Sequence, residues 1–166
     1  MKFNYVEGKK GDKAEKEEKT EKIEKNTKKG AASEKQAKEE KVYIIPLGGM
    51  EEVGKNMTAF QYKDEIVIVD AGLTFPEDEH LGIDVIIPDF TYLENNKDKI
   101  KSLLLTHGHE DHIGAIPYLF QKLGSTDITI YGGKLTLELA KAKFEKKDAV
   151  IPKMKVVKGR TKLKLS

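Results

Sequence analysis

Apolar and polar residues alternate with a period near two along residues 42–72, the spacing of half-buried strands. VYIIPL predicts a strand over 42–47 that runs into a glycine turn. MTAFQY, 57–62, and EIVIVDAG, 65–72, predict two more, and Lys63 and Asp64 between them predict a hairpin. Farther on, Leu103, Leu104 and Leu105 make a short apolar run, long enough for a buried strand and too short for a free helix. The period then lengthens. Ile113, Ile116, Leu119, Phe120 and Leu123 recur every three to four residues, predicting a helix from His112 or Ile113 to about Leu123, with Pro117 tolerated early and Gly124 as the stop. ITIYG, 128–132, predicts a strand. Lys134 to Lys146 predicts a helix carrying Leu135, Leu137, Leu139, Ala142 and Phe144, and 154–158 and 161–166 predict short strands. Tyr92 to Lys101 predicts a short helix, weakened by Asn95 and Asn96.

Two stretches break this rhythm. Residues 1–40 are Lys/Glu-rich with almost no apolar side chain. Such a segment cannot bury enough surface to offset its ordering entropy, so a disordered tail is expected ahead of an ordered part at 41–166. Pairs such as Glu15 with Lys19, Glu18 with Lys22 and Glu21 with Lys25 could support a transient exposed helix. An RNA-touching arm is disfavoured there, because the acids cancel most of the lysine charge. The second stretch, 73–93, is a long acidic connection. In it Ile83, Val85, Ile86 and Ile87 suggest packing onto the sheet, and His80 reads as an exposed loop residue.

Composition narrows the classes. At 166 residues the chain is one domain or part of one. A formal charge of +2 is too small to announce nucleic acid by itself. With no cysteine there are no disulfides or thiolate ligands, which is compatible with a reducing cytoplasm. No apolar run approaches the roughly 20 residues of a membrane span, and the start lacks the apolar region of a secretory signal.

The chemistry is concentrated in LLLTHGHEDHIGAIP, 103–117, where three of the four histidines fall inside six residues. Gly108 between His107 and His109 lets the chain turn sharply after the strand. On extended or looping backbone these two histidines can converge on one ion, whereas on a helix they would diverge. Asp111 and His112 are adjacent and more naturally serve a second ion. Imidazole with carboxylate suits Zn²⁺ or Mn²⁺, and two such ions in hydrolases lie roughly 3.5–4 Å apart with a water or hydroxide between them. Asp70 closes an apolar strand, so it should be partly buried and in need of partners. The loop GGMEEVGKN, 48–56, is neither a P-loop nor a dinucleotide fingerprint. A plain turn and a substrate-phosphate contact are both open for it, with Lys55 and Asn56 as its polar candidates.

The H-x-H-x-D-H string resembles the metallo-β-lactamase superfamily. LGGMEEVGKNM at 47–57, VIVDAGLTFPEDEHLGIDVIIPDFTYL at 67–93, LLLTHGHEDHIGAIPYL at 103–119 and IYGGKLTLELAKAK at 130–143 are similar to consecutive blocks of the ribonuclease J family, in its β-CASP branch. The resemblance runs from about Val42 onwards and omits the tail. It implies the first half of an αββα sandwich, a mixed sheet with flanking helices whose second sheet is missing, so that one apolar sheet face stays open. It implies an N-terminal piece of a longer, cytoplasmic, homo-oligomeric enzyme that hydrolyses RNA phosphodiesters from the 5′ end and internally, in mRNA turnover and rRNA maturation, with partners in RNA degradation. The implied metal ligands are His107, His109, Asp111 and His112 on two Zn²⁺ ions, with Asp111 also catalytic and Asp70 supporting the ligands from behind. The family pattern adds further ligands beyond His112, and no histidine follows it here. The chain alone is therefore expected to be inactive. The ligand string itself leaves open a small-molecule hydrolase of lactamase or thioesterase type, or a non-catalytic fragment.

Overall fold

Among the described residues, six strands follow from these patterns and lie in one sheet in sequence order. The computed structural model describes residues 40–77, 80–124, 127–147 and 149–164. The Lys/Glu-rich stretch 1–39, and with it the expected tail, lies outside the described residues. Strands β1 (Val42–Gly48), β2 (Met57–Tyr62) and β3 (Glu65–Val69) form an antiparallel meander. β4 (Ile100–Leu104), β5 (Thr129–Gly132) and β6 (Met154–Val156) continue it in parallel. Each parallel step needs a crossover. The crossovers carry helices α1 (Thr91–Glu94), α2 (Glu110–Ile113), α3 (Ile116–Leu123) and α4 (Lys134–Lys146).

Register decides the two faces. Ile45, Ala59, Ile68, Leu103, Ile130 and Met154 are successive cross-strand neighbours, one row spanning all six strands. The row belongs to a single core with Leu93 of α1, Ile116, Leu119, Phe120 and Leu123 of α3, and Leu137, Ala140 and Phe144 of α4. The rings of Phe120 and Phe144 meet edge to face at 5.5 Å and tie α3 to α4. The opposite face carries Ile44, Phe60 and Val67 in the neighbouring row, and Ile44 remains 65% exposed. The exposure is uneven along this face, since Ser102, the next residue of the row on β4, is 1% exposed.

Several elements differ from the pattern reading. The strand expected over 65–72 ends at Val69, because Asp70 turns to φ 60, a left-handed conformation that aspartate tolerates better than most residues. The single helix expected from His112 to Leu123 is two, α2 and α3. Pro117 sits at the first turn of α3, where its missing N–H costs nothing, and could not have donated inside a continuous helix. Gly124 closes α3 at φ 62, as its position predicts. The helix expected over 92–101 shrinks to the four residues of α1 and a 3₁₀ turn, Lys97–Lys99, after which β4 begins earlier than the leucine run suggests. In α4 only Leu137 and Phe144 of the five predicted apolar positions are buried. Leu135 is 73% exposed, and Thr136 and Ala140 face inward instead. Residues 161–164 form no strand.

The connection 70–90 packs as expected through Val85 and Ile87, and a bridge pairs Thr74 with Ile86. Its end acquires local roles that patterning could not supply. Asp89 accepts from the Thr91 N–H (2.8 Å) and hydroxyl (2.6 Å) at the start of α1. Those two bonds, the hydroxyl's first, hold the Asp89 carboxyl below its ordinary range. Phe90 is buried and Tyr92 donates to Gln61 of β2.

Candidate metal centre at the end of the fourth strand

β4 delivers the ligand loop. Beyond it the Leu105 N–H still pairs with the Tyr131 carbonyl, and Thr106 leaves the sheet. His109 keeps an extended backbone (ψ 155) and its carbonyl accepts from the N–H groups of His112 and Ile113, which starts α2. His107 and His109 therefore ride the loop, while Asp111 and His112 fall in the first turn of a helix. The imidazoles gather. His107 and His109 centroids are 4.6 Å apart and His107 and His112 centroids 4.0 Å apart. His107 and His109 are exposed, and Asp111 and His112 are half-buried.

Asp70 stands beneath them, 5% exposed. One carboxylate oxygen accepts from the Thr106 N–H (2.9 Å). The other accepts from the Thr106 hydroxyl (2.7 Å) and from His112 Nδ1 (2.8 Å). A carboxylate can only accept, so His112 must carry its proton on Nδ1 and present the Nε2 lone pair outward. The same logic extends one step. The Thr106 hydroxyl spends its hydrogen on Asp70, so the 3.0 Å contact between Thr106 Oγ1 and His107 Nδ1 is donated by the imidazole. Asp70 thus sets the tautomer of His112 directly and that of His107 through Thr106, the arrangement by which ligand histidines are oriented in metal sites. Sequence analysis assigned Thr106 no role. The signal lay in a hydroxyl directly preceding a histidine at a strand end.

The two polar candidates of the glycine-rich loop make contacts other than those expected of them. Lys55 does not reach out. Its ammonium lies 2.8 Å from Glu52 in the same loop, and this contact is the main reason the Glu52 carboxyl is held low. Asn56 turns inward, its Nδ2 lying 3.1 Å from the Asp111 main-chain oxygen, 3.1 Å from Asp111 Oδ2 and 3.3 Å from His112 Nε2. Backbone bonds lock the same region. Asn56 N–H donates to the Asp111 carbonyl, Gly72 N–H to Asn56, Ala71 N–H to His112 and Leu73 N–H to Glu110. Residues 70–73 are thereby clamped between two loops, and a Cβ on Gly72 would lie 1.6 Å from the Asp111 carbonyl oxygen. Lys143 of α4 ties down Glu110 from the other side.

Gly108 serves otherwise than expected. Its φ is not positive; its bare Cα instead makes room for Leu139, whose Cδ1 would lie 2.6 Å from a Cβ there. His80 is exposed and separate from the cluster.

The donor set suits a divalent cation. His112 Nε2 and Asp111 Oδ2 face each other at 3.3 Å, two lone-pair atoms whose approach is favourable only with a proton or a cation beside them. His107 and His109 could form one pair of ligands and Asp111 and His112 another. Among the described residues, no three His, Asp or Glu side chains close on one point, so each pair offers two of the four ligands that zinc takes. Among the described residues, no helix is long and apolar enough to cross a membrane.

The chain is 50% identical over 108 residues to Ribonuclease J 1 of Streptococcus pyogenes, covering 65% of this chain and 19% of that one. It is 49% identical over 111 residues to Ribonuclease J 2 of Staphylococcus aureus, covering 67% and 19%, and 50% identical over 106 residues to Ribonuclease J of Thermus thermophilus, covering 63% and 18%. It therefore spans about a fifth of the length of these relatives. The description "Metallo-beta-lactamase superfamily" matches residues 50–156, and that superfamily implies divalent metal binding. The matched span runs from the glycine-rich loop through β6 and takes in Asn56, Asp70 and the whole ligand loop, and on it the chain belongs to the metallo-beta-lactamase superfamily.

Proposed function

We propose that the chain is the N-terminal part of a metal-dependent ribonuclease of the ribonuclease J type, cleaving RNA phosphodiesters both from the 5′ end and internally. The observation that carries this is the identity near 50%, over 106 to 111 residues, to three proteins of that name. In this reading His107 and His109 hold one ion and Asp111 and His112 the other, with the remaining ligands supplied from outside the described residues. Zn²⁺ fits the imidazole-rich donor set best, and Mn²⁺ is the alternative. When bound, the pair of ions supplies an activated water near neutral pH and screens charge on the phosphoryl oxygens. The chain's own part is positional. Asp70 keeps the Nε2 lone pairs of His112 and, through Thr106, His107 free for an ion beyond the end of β4. The β4–α2 loop presents them at the exposed rim, where a polynucleotide could approach, and the open sheet face would be covered by polypeptide outside these residues. The reading carries with it a cytoplasmic, homo-oligomeric protein with partners in RNA degradation, acting in mRNA turnover and rRNA maturation.

The test compares the full-length protein with residues 1–166 on 5′-monophosphorylated RNA, a thioester and a β-lactam, with and without chelator. The expected result is chelator-sensitive RNA cleavage by the full-length protein and none by residues 1–166. Cleavage of the thioester or lactam with RNA left intact would replace the proposal by a small-molecule hydrolase. RNA degradation at full rate by residues 1–166 would refute the incomplete ligand set.

A further inference from the structure

The geometry points to Asn56 as a positioning residue that holds the Asp111 carboxylate in place beside His112 Nε2, so that the two stand as a ligand pair, a role resting on the metal-centre reading above. The orientation of its amide is settled by chemistry. The atom facing the Asp111 main-chain oxygen at 3.1 Å must donate, so it is the NH₂ group and not the amide oxygen. That group has two hydrogens and three acceptors within reach, namely the Asp111 carbonyl, Asp111 Oδ2 and His112 Nε2. Two hydrogens satisfy two acceptors. The third is left open, and His112 Nε2, the most distant at 3.3 Å, is the one a cation would claim. The amide thus fixes Asp111 by both its main chain and its carboxylate, so that Oδ2 stays 3.3 Å from the His112 Nε2 lone pair, an approach that otherwise repels. It does so from a loop anchored independently, since the Asn56 N–H donates to Asp111 and the Asn56 carbonyl accepts from Gly72. Those backbone bonds survive a change of side chain, so the amide's contribution is separable from the fold. The Asn56 side chain meets Asp111 and His112 and neither His107 nor His109, so the effect belongs to one ion of the two.

The experiment is a stepwise Co²⁺ titration of the full-length protein, read by d–d absorption, on wild type, Asn56→Ala and the size-matched Asn56→Leu. Both variants should bind one equivalent as wild type does and the other about 10- to 100-fold more weakly, the usual effect of removing a partner of a metal ligand. Amide signals of protein labelled with ¹⁵N-asparagine give a second reading that needs no variant. The Asn56 side-chain NH₂ should shift with one equivalent of Zn²⁺ and stay unmoved by the other. Two wild-type constants in both variants, or an Asn56 amide indifferent to both equivalents, would overturn the role while leaving the metal centre standing. Uptake of no Co²⁺ by wild type would overturn the metal centre and this inference with it.

Discussion

Replacing Asp70 by asparagine changes one atom and should reverse the chemistry of two histidines. The carboxylate accepts three hydrogen bonds, from Thr106 N–H, Thr106 Oγ1 and His112 Nδ1. In Asp70→Asn the amide oxygen keeps the Thr106 N–H, and the NH₂ group replaces the oxygen that served the other two. It can donate to the Thr106 hydroxyl, which then points its own hydrogen elsewhere. It cannot accept from His112 Nδ1, so that imidazole must move its proton to Nε2, the atom otherwise turned toward Asp111 and Asn56. Bonds to a charged acceptor contribute about 1.5–3 kcal/mol and neutral ones about 0.5–1.5 kcal/mol. Losing charge assistance across this group therefore costs about 2 kcal/mol. With a denaturant slope of about 2 kcal/mol/M that lowers the urea midpoint by about 1 M. Asp70→Ala strips all three partners and leaves alanine in the left-handed region, for about 4–6 kcal/mol in all. The chain has no tryptophan, so unfolding is followed by far-UV circular dichroism with chelator present. Long-range ¹H–¹⁵N spectra report which imidazole nitrogen is protonated. An Asp70→Asn protein that keeps His112 protonated on Nδ1 and unfolds at the wild-type midpoint would refute this account of the site.

Five further outcomes follow from the same structure. Thr106→Val, equal in shape, should free the proton of His107 from Nδ1 while leaving His112 as it is, seen in the same spectra. Gly72→Ala drives a methyl into the Asp111 carbonyl and should destabilise by about 3 kcal/mol or more, measured by urea unfolding. Ile68→Glu, which buries an unpaired charge at a 1% exposed site, should unfold the chain by circular dichroism. Ile44→Glu on the open face should instead keep the fold and reduce self-association by sedimentation. Asp89 has a carboxyl pKa depressed below its ordinary 3.8, so its contribution is present above that value and is lost as pH falls through the lower folded-state value. The stability gap between wild type and Asp89→Ala, measured by urea unfolding across pH, should therefore be constant near neutrality and close in strong acid.

Much of the molecule was legible in one dimension because its causes are local. The hairpin at Lys63 and Asp64, the bounds of β2 and α4, and the Gly124 stop each depend on neighbours a few residues away. So does the clustering of His107, His109, Asp111 and His112, which one loop carries. What tertiary structure alone decided was contact across long separations. Which leucines of α4 are buried depends on where α3 and the sheet lie, and a weakly amphipathic pattern does not say. The end of β3 is set by Asp70 turning to reach Thr106 and His112, some forty residues on. Asn56 is the sharpest case. On its own loop it reads as a polar residue for an outside ligand, and only the clamp formed with residues 70–73 and 110–112 turns its amide onto Asp111. Periodicity records which side of an element is apolar; the atom that a polar side chain finally meets is settled by the packing of distant backbone.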